Sequence, residues 1–211
     1  MSSFNFQVEI LPALNTYRFS QTKLQILQNL ALGRSNKSIA ESLEISVKSV
    51  ERILAELNKK LNKSNEYKNF YKLFNPRVKL LSSLIALDLI DFKPEVELRY
   101  IDNLDLKLSQ VLALMAIGFA NKKIAELLGI NEKTVELRLT QLFDYFNIDT
   151  KNQSIENPRI SLFISALCRS NISKAQIKRL HKETSAGRVE NTILDLKNFI
   201  STLEEQHKVI G

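Results

Sequence analysis

Residues 36–51 read NKSIAESLEISVKSVE, and residues 121–136 read NKKIAELLGINEKTVE. The offset of 85 is also kept by the glycines just upstream, Gly33 and Gly118. A period this long marks a duplicated domain, because solenoid repeats recur every 20–50 residues or so. A second echo follows each phrase, NPRVKL at 75–80 and NPRISL at 157–162.

Inside the first phrase Ile39, Leu43, Ile45 and Val50 have the spacing of apolar knobs that hold two short helices at a fixed crossing. Ala40 is small where those helices approach, and Ser46 is placed to cap the second one. Ile124, Leu128, Ile130, Val135, Ala125 and Asn131 take the same roles in the second phrase. Both phrases therefore predict a helix-turn-helix, whose second helix enters the DNA major groove in proteins that use it. Upstream, Ser20 and Asp105 are N-cap candidates for helices that end near Gly33 and Gly118. Downstream, Asn-Pro predicts a fourth helix in each repeat, about 76–90 and 158–170, since proline suits the first helical position.

The chain thus reads as mainly α. A leader covers 1–16, a first four-helix unit 17–90, a connector 91–101, a second unit 102–170 and a helical tail 171–211. Two short strands are candidates, because residues 4–10 and 96–100 alternate apolar and polar. They are placed to pair with each other or to pack singly on the helices. The stretch 62–74 interleaves Tyr67, Phe70, Tyr71 and Phe74 with lysines. Packing onto their own domain is the more ordinary role of such aromatics, nucleic-acid contact the rarer one. In the tail Val189, Ile193, Leu196, Ile200 and Leu203 recur in steps of four and three, a heptad seam. That seam is a candidate homodimer contact, or a stripe that docks on the body.

Composition narrows the function. The 211 residues contain one cysteine and two histidines, His181 and His207, both in the tail away from the repeats. A zinc site or a Cys–His nucleophile has almost no raw material, so neither an enzyme nor a cofactor is expected. Cys168 lies among apolar residues and reads as a small core residue, and a lone cysteine fits a reducing cytoplasm. No apolar run reaches membrane-span length and the first residues lack a secretory pattern, so no membrane partner is expected. The net charge of +7 points to a polyanion, and its distribution points further. Residues 17–85 carry 13 Lys/Arg against 5 Asp/Glu, whereas residues 102–170 carry 8 of each.

The segments ALGRSNKSIAESLEISVKSVERILAELNKKL (31–61) and AIGFANKKIAELLGINEKTVELRL (116–139) resemble the LuxR/GerE-type, or NarL-like, DNA-binding domain of bacterial regulators. The resemblance covers roughly 17–87 and 102–170. It implies four-helix units in which the third helix reads bases in double-stranded DNA and the fourth often makes a dimer contact. Family recognition helices typically read T-V-K-x-H, with base contacts just after the valine and one turn on. Those positions here are Glu51, Arg52 and Ala55, then Glu136, Leu137 and Thr140. Both units replace the usual lysine by glutamate, which accepts from cytosine N4 but repels phosphate. The histidine position is Ile53 in one and Arg138 in the other.

Family-like docking would put Lys37, Ser46, Lys48, Ser49, Lys59 and Lys60 of the first unit near phosphates, with Arg52 able to make a bidentate contact with guanine. The second unit keeps Lys122, Lys123, Lys133 and Thr134, but Glu132, Glu136 and Asp144 surround its recognition helix. The first unit is therefore expected to be the DNA reader, and the second a weaker reader or a retained scaffold. The family's usual receiver or autoinducer-binding domain has no counterpart in these residues, so no control by phosphorylation in cis is expected. A rival reading is a transcription-machinery adaptor, because TVELRL at 134–139 also resembles sigma-factor region four. Such an adaptor would dock on RNA polymerase or another regulator through the second unit.

Overall fold

A computed structural model describes residues 6–62, 73–94, 104–151, 156–169 and 171–185. After strand β1 (Phe6–Ile10) and a 3-10 turn (Pro12–Tyr17), the first repeat folds as α1 (Gln21–Ala31), α2 (Asn36–Ser42), α3 (Val47–Asn62) and α4 (Pro76–Ala86). Strand β2 (Ile90–Pro94) follows. The second repeat supplies α5 (Leu106–Ile117), α6 (Asn121–Leu128), α7 (Glu132–Tyr145) and α8 (Pro158–Cys168), and the tail supplies α9 (Lys174–Ser185).

Helix boundaries follow the capping chemistry of the sequence. Ser20 Oγ accepts the Lys23 amide, Ser46 Oγ the Ser49 amide, Asp105 Oδ1 the Lys107 amide and Asn131 Oδ1 the Thr134 amide. Asn75 and Asn157 cap α4 and α8 ahead of Pro76 and Pro158. Each such cap satisfies an amide with no partner inside the helix and is worth about 1 kcal/mol.

The first-unit fourth helix stops at Ala86, short of the expected 90. Asp88 takes a left-handed φ of +52°, and the Leu89 amide turns back to the Leu84 carbonyl. The chain then leaves as β2, six residues before the expected 96–100, a stretch that lies outside the described residues. β2 pairs antiparallel with β1, Val8 opposite Phe92 and Ile10 opposite Ile90. Ile90 and Phe92 are buried while Lys93 is exposed and Asp91 half-exposed, so the alternation that defines a half-buried strand sits within IDFKP. Two strands alone are marginal. Here Val8, Ile10, Ile90 and Phe92 pack onto the helical core.

That core is continuous across both repeats and includes Leu27, Ile39, Val50 and Leu80 from the first with Leu112, Ile124, Val135 and Phe163 from the second. The fourth helices lie at its centre. Eight consecutive residues of α4, Val78 to Ile85, are buried, and so are seven of α8, including Phe163. A helix buried on all sides carries little charge, yet α4 buries Lys79, whose ammonium lies 4.8 Å from the Phe74 ring centroid.

His181 is not remote from the repeats. α9 packs on α4 and α5, which buries His181, and Lys178 pairs with Asp88 at 2.7 Å. Desolvation, with Lys79 adding, pushes its imidazole down to about 4. Cys168 is partly buried against the core, and burial raises its thiol to about 11, as a packing residue requires. Phe74 stacks on Phe119 of the other repeat at 5.0 Å, while Tyr67, Phe70 and Tyr71 lie outside the described residues. So do all the heptad residues Val189, Ile193, Leu196, Ile200 and Leu203.

Candidate nucleic-acid interface

In the first unit the turn between α2 and α3 is set by Glu44, whose φ of +55° reverses the chain, and by the Ser46 cap. Buried Ile39, Ala40 and Val50 lock the two helices together, with Leu43 and Ile45 partly buried beside them. Arg77 of α4 fixes α2 from behind by donating to Asn36 Oδ1 and to the Arg34 carbonyl. The second unit repeats the device, with Arg159 donating to Asn121 Oδ1. In both, burial lowers the guanidinium pKa, but an arginine stays charged at neutral pH. These two arginines were not singled out in the sequence, although the repeated N-P-R was visible.

On the outer face of the first unit, Lys37, Lys48, Glu51, Arg52 and Lys59 are exposed and Ala55 is half-buried. Lys37 sits 4.0 Å from Glu41, a loose exposed pair. Arg52 donates to Glu56 at 2.7 Å, and Glu56 also pairs with Lys23 at 3.0 Å. The Lys23 hydrogen bond, helped by the charges of Lys23 and Arg52 and opposed by desolvation, holds Glu56 below the usual carboxylate range. Arg52 is thus oriented along α3 while keeping 66% of its side chain exposed. Ser46 and Ser49 bond each other through their hydroxyls at 2.9 Å. Lys60 stays exposed but is engaged: its ammonium donates to the Tyr17 carbonyl at 2.5 Å and lies over Phe19, so it fastens α3 to the preceding turn.

The second unit presents a different face. Lys122 and Lys133 are exposed, Thr134 and Arg138 are half-buried, and Thr134 Oγ1 donates to the Asn131 cap. Lys123 is buried and bonded to Glu126 at 2.6 Å, so its expected place on the outer face is corrected to a packing role. Glu132, Glu136 and Asp144 are exposed. Leu137, at one of the expected base-reading positions, is 60% exposed, the largest exposure among the described large hydrophobic residues.

The two recognition helices also differ at their N-termini. α3 has no acidic residue in its first turn, whereas α7 has Glu132 there. A helix N-terminus attracts anions, and a resident carboxylate competes for that position. No described group of His, Cys, Asp and Glu could hold a metal, and no described helix is long and apolar enough to cross a membrane.

The family model described as bacterial regulatory proteins, luxR family, matches the chain twice, over residues 18–68 and 107–156. The searches of curated proteins and of solved structures find no match. The two matched segments contain both helix-turn-helices, and each begins at the helix that precedes one.

Proposed function

The chain is a tandem LuxR-type helix-turn-helix protein, and on that premise we propose that it is a bacterial, cytoplasmic transcription regulator that binds double-stranded DNA mainly through its first unit. The supporting observation is the contrast between the two recognition faces. Each face carries one exposed glutamate at the equivalent position, Glu51 or Glu136, but the first combines it with exposed Lys37, Lys48, Arg52 and Lys59 and an acid-free helix N-terminus, whereas the second has two exposed lysines and adds exposed Glu132 and Asp144. Neutralising phosphates takes a net positive surface. Duplex affinity should fall by orders of magnitude between roughly 50 and 200 mM salt. Arg52→Ala and Lys37→Ala should weaken it much more than Arg138→Ala and Lys122→Ala. Equal losses from both sets would overturn the ranking of the units.

The tail seam Val189, Ile193, Leu196, Ile200 and Leu203 is proposed to join two chains, on its heptad spacing alone. Leu196→Glu with unchanged mass in solution would remove that part of the reading.

A second reading rests on Leu137. An apolar side chain 60% exposed beside Glu136 also suits a protein partner, which favours docking on RNA polymerase or another regulator through the second unit. Co-purification with polymerase that Leu137→Glu abolishes, without salt-sensitive duplex binding, would make this the primary function.

A further inference from the structure

The repeats touch each other reciprocally. By the repeat offsets Gly33 corresponds to Gly118, Arg34 to Phe119, Phe74 to Glu156, Asn75 to Asn157 and Lys79 to Ser161. The Asn75 amide donates to the Gly118 carbonyl at 2.7 Å, and the Asn157 amide donates to the Gly33 carbonyl at 2.7 Å. Single β-bridges join Phe74 to Phe119 and Glu156 to Arg34. Beside Gly118 runs the backbone of Lys79, and beside Gly33 lies Ser161 Oγ. Each of these contacts from the first repeat to the second thus returns between the corresponding positions in the opposite direction.

Reciprocity of this kind, residue i on j and j on i, is the mark of a two-fold interface between subunits. Here it lies within one chain. The surface that makes it is fully used, because α4 and α8 are buried along most of their length. A second chain therefore has no fourth helix left to pair with.

Duplex DNA has local two-fold axes of its own, and two-fold helix-turn-helix dimers read inverted half-sites about one helical turn apart. In this chain the two readers differ. Glu51 and Glu136 match, but Arg52, which suits guanine O6 and N7, corresponds to Leu137, which suits a thymine methyl. We infer that one chain occupies one operator as a built-in dimer, and that the operator consists of two inverted half-sites of different sequence. The inference rests on the DNA-binding reading above.

The test uses the full chain on duplexes selected from a random pool, followed by a titration well above the dissociation constant. The expected ratio is one chain per duplex, a ratio that tail-mediated pairing of complexes leaves unchanged. Selected duplexes should carry two inverted, unlike halves about one turn apart. Arg52→Ala should relax only one half and Leu137→Ala only the other, each losing roughly tenfold discrimination at its position. Two chains per duplex, identical halves, directly repeated halves or a single half would each overturn the inference while leaving DNA binding intact. Loss of all salt-sensitive duplex binding would instead overturn the underlying reading and this one with it.

Discussion

Gly118 and Lys79 lie in different repeats, yet a Cβ built on Gly118 would fall 2.7 Å from the Lys79 Cα, closer than real side chains approach backbone. The same glycine has a φ of +102° and ends α5 in the left-handed conformation, with its amide bonded to the Met115 carbonyl. A helix stop and a close approach of two chain segments therefore coincide at one residue.

The three described glycines with positive φ should separate by what they face. Gly118→Ala meets both a left-handed backbone and the immovable Lys79 main chain, and should cost ~3 kcal/mol or more. Gly33→Ala, with φ +79° and Ser161 Oγ at 3.2 Å, meets a side chain that can turn away, and should cost about 1–2 kcal/mol. Gly129→Ala, with φ +63° and open space, should cost about 1 kcal/mol from the backbone alone. Urea midpoints rank the three. Equal losses would mean that close packing of the repeats at Gly118 contributes nothing.

The glycine pattern also marks how far the sequence could be read. The caps at Ser20, Ser46, Asp105 and Asn131, the Asn-Pro helix starts and the apolar spacing of both helix-turn-helices are local chemistry, and local chemistry places them. The reciprocal clasp was not legible, because nothing in N-P-R tells which repeat its backbone will bond. That the partner of β1 is 90–94 was not legible for a related reason: the left-handed turn at Asp88 closes α4 early, and aspartate is one of several residues that tolerate it. At the recognition face the sequence supplied candidate residues, but not that Lys60 is tied to the Tyr17 carbonyl or that Lys123 is buried and bonded to Glu126.

Lys79 gives a pH signature. Desolvation lowers its ammonium pKa to about 7 in the fold, against an ordinary value of 10.5. Between those values the unfolded chain binds more protons, so stability should rise with pH from about 7 towards 10.5. His181, depressed to about 4 against 6.5, has the same sign in the interval from about 4 to 6.5, where stability falls as pH falls. Lys79→Met keeps the volume and removes the titration. It should flatten the rise between roughly pH 7 and 9, worth on the order of 2 kcal/mol, and match or exceed the wild type near neutrality. Thermal melts across that range decide it, and a slope unchanged by the substitution would count against Lys79 as its source.

Arg77 links stability to the proposed DNA face. Its guanidinium reaches Asn36 and the Arg34 carbonyl together, a reach that a lysine ammonium cannot copy. Arg77→Lys should cost about 1–3 kcal/mol, because it leaves a partly buried acceptor unsatisfied. It should also lower duplex affinity severalfold by loosening α2 under the recognition helix. The corresponding Arg159→Lys should cost similar stability and much less affinity, if the first unit is the main reader. Parallel denaturation and binding titrations separate the two effects.

The first turn of α7 allows the asymmetry to be tested by gain rather than loss. Glu132 stands where the first repeat has Val47, and as an acid at a helix N-terminus it stabilises α7 by about 0.3–1 kcal/mol. The same carboxylate repels a phosphate approaching that N-terminus. Glu132→Lys should therefore move stability and affinity in opposite directions, with a slightly lower melting temperature and tighter duplex binding. If α7 lies against the DNA backbone, the plot of log affinity against log salt should also steepen by about one added phosphate contact. Glu132→Val, which copies the first repeat, should give a smaller gain and leave that slope nearly unchanged. If Glu132→Lys changes neither affinity nor slope, α7 stands away from the backbone and the second unit faces something other than DNA.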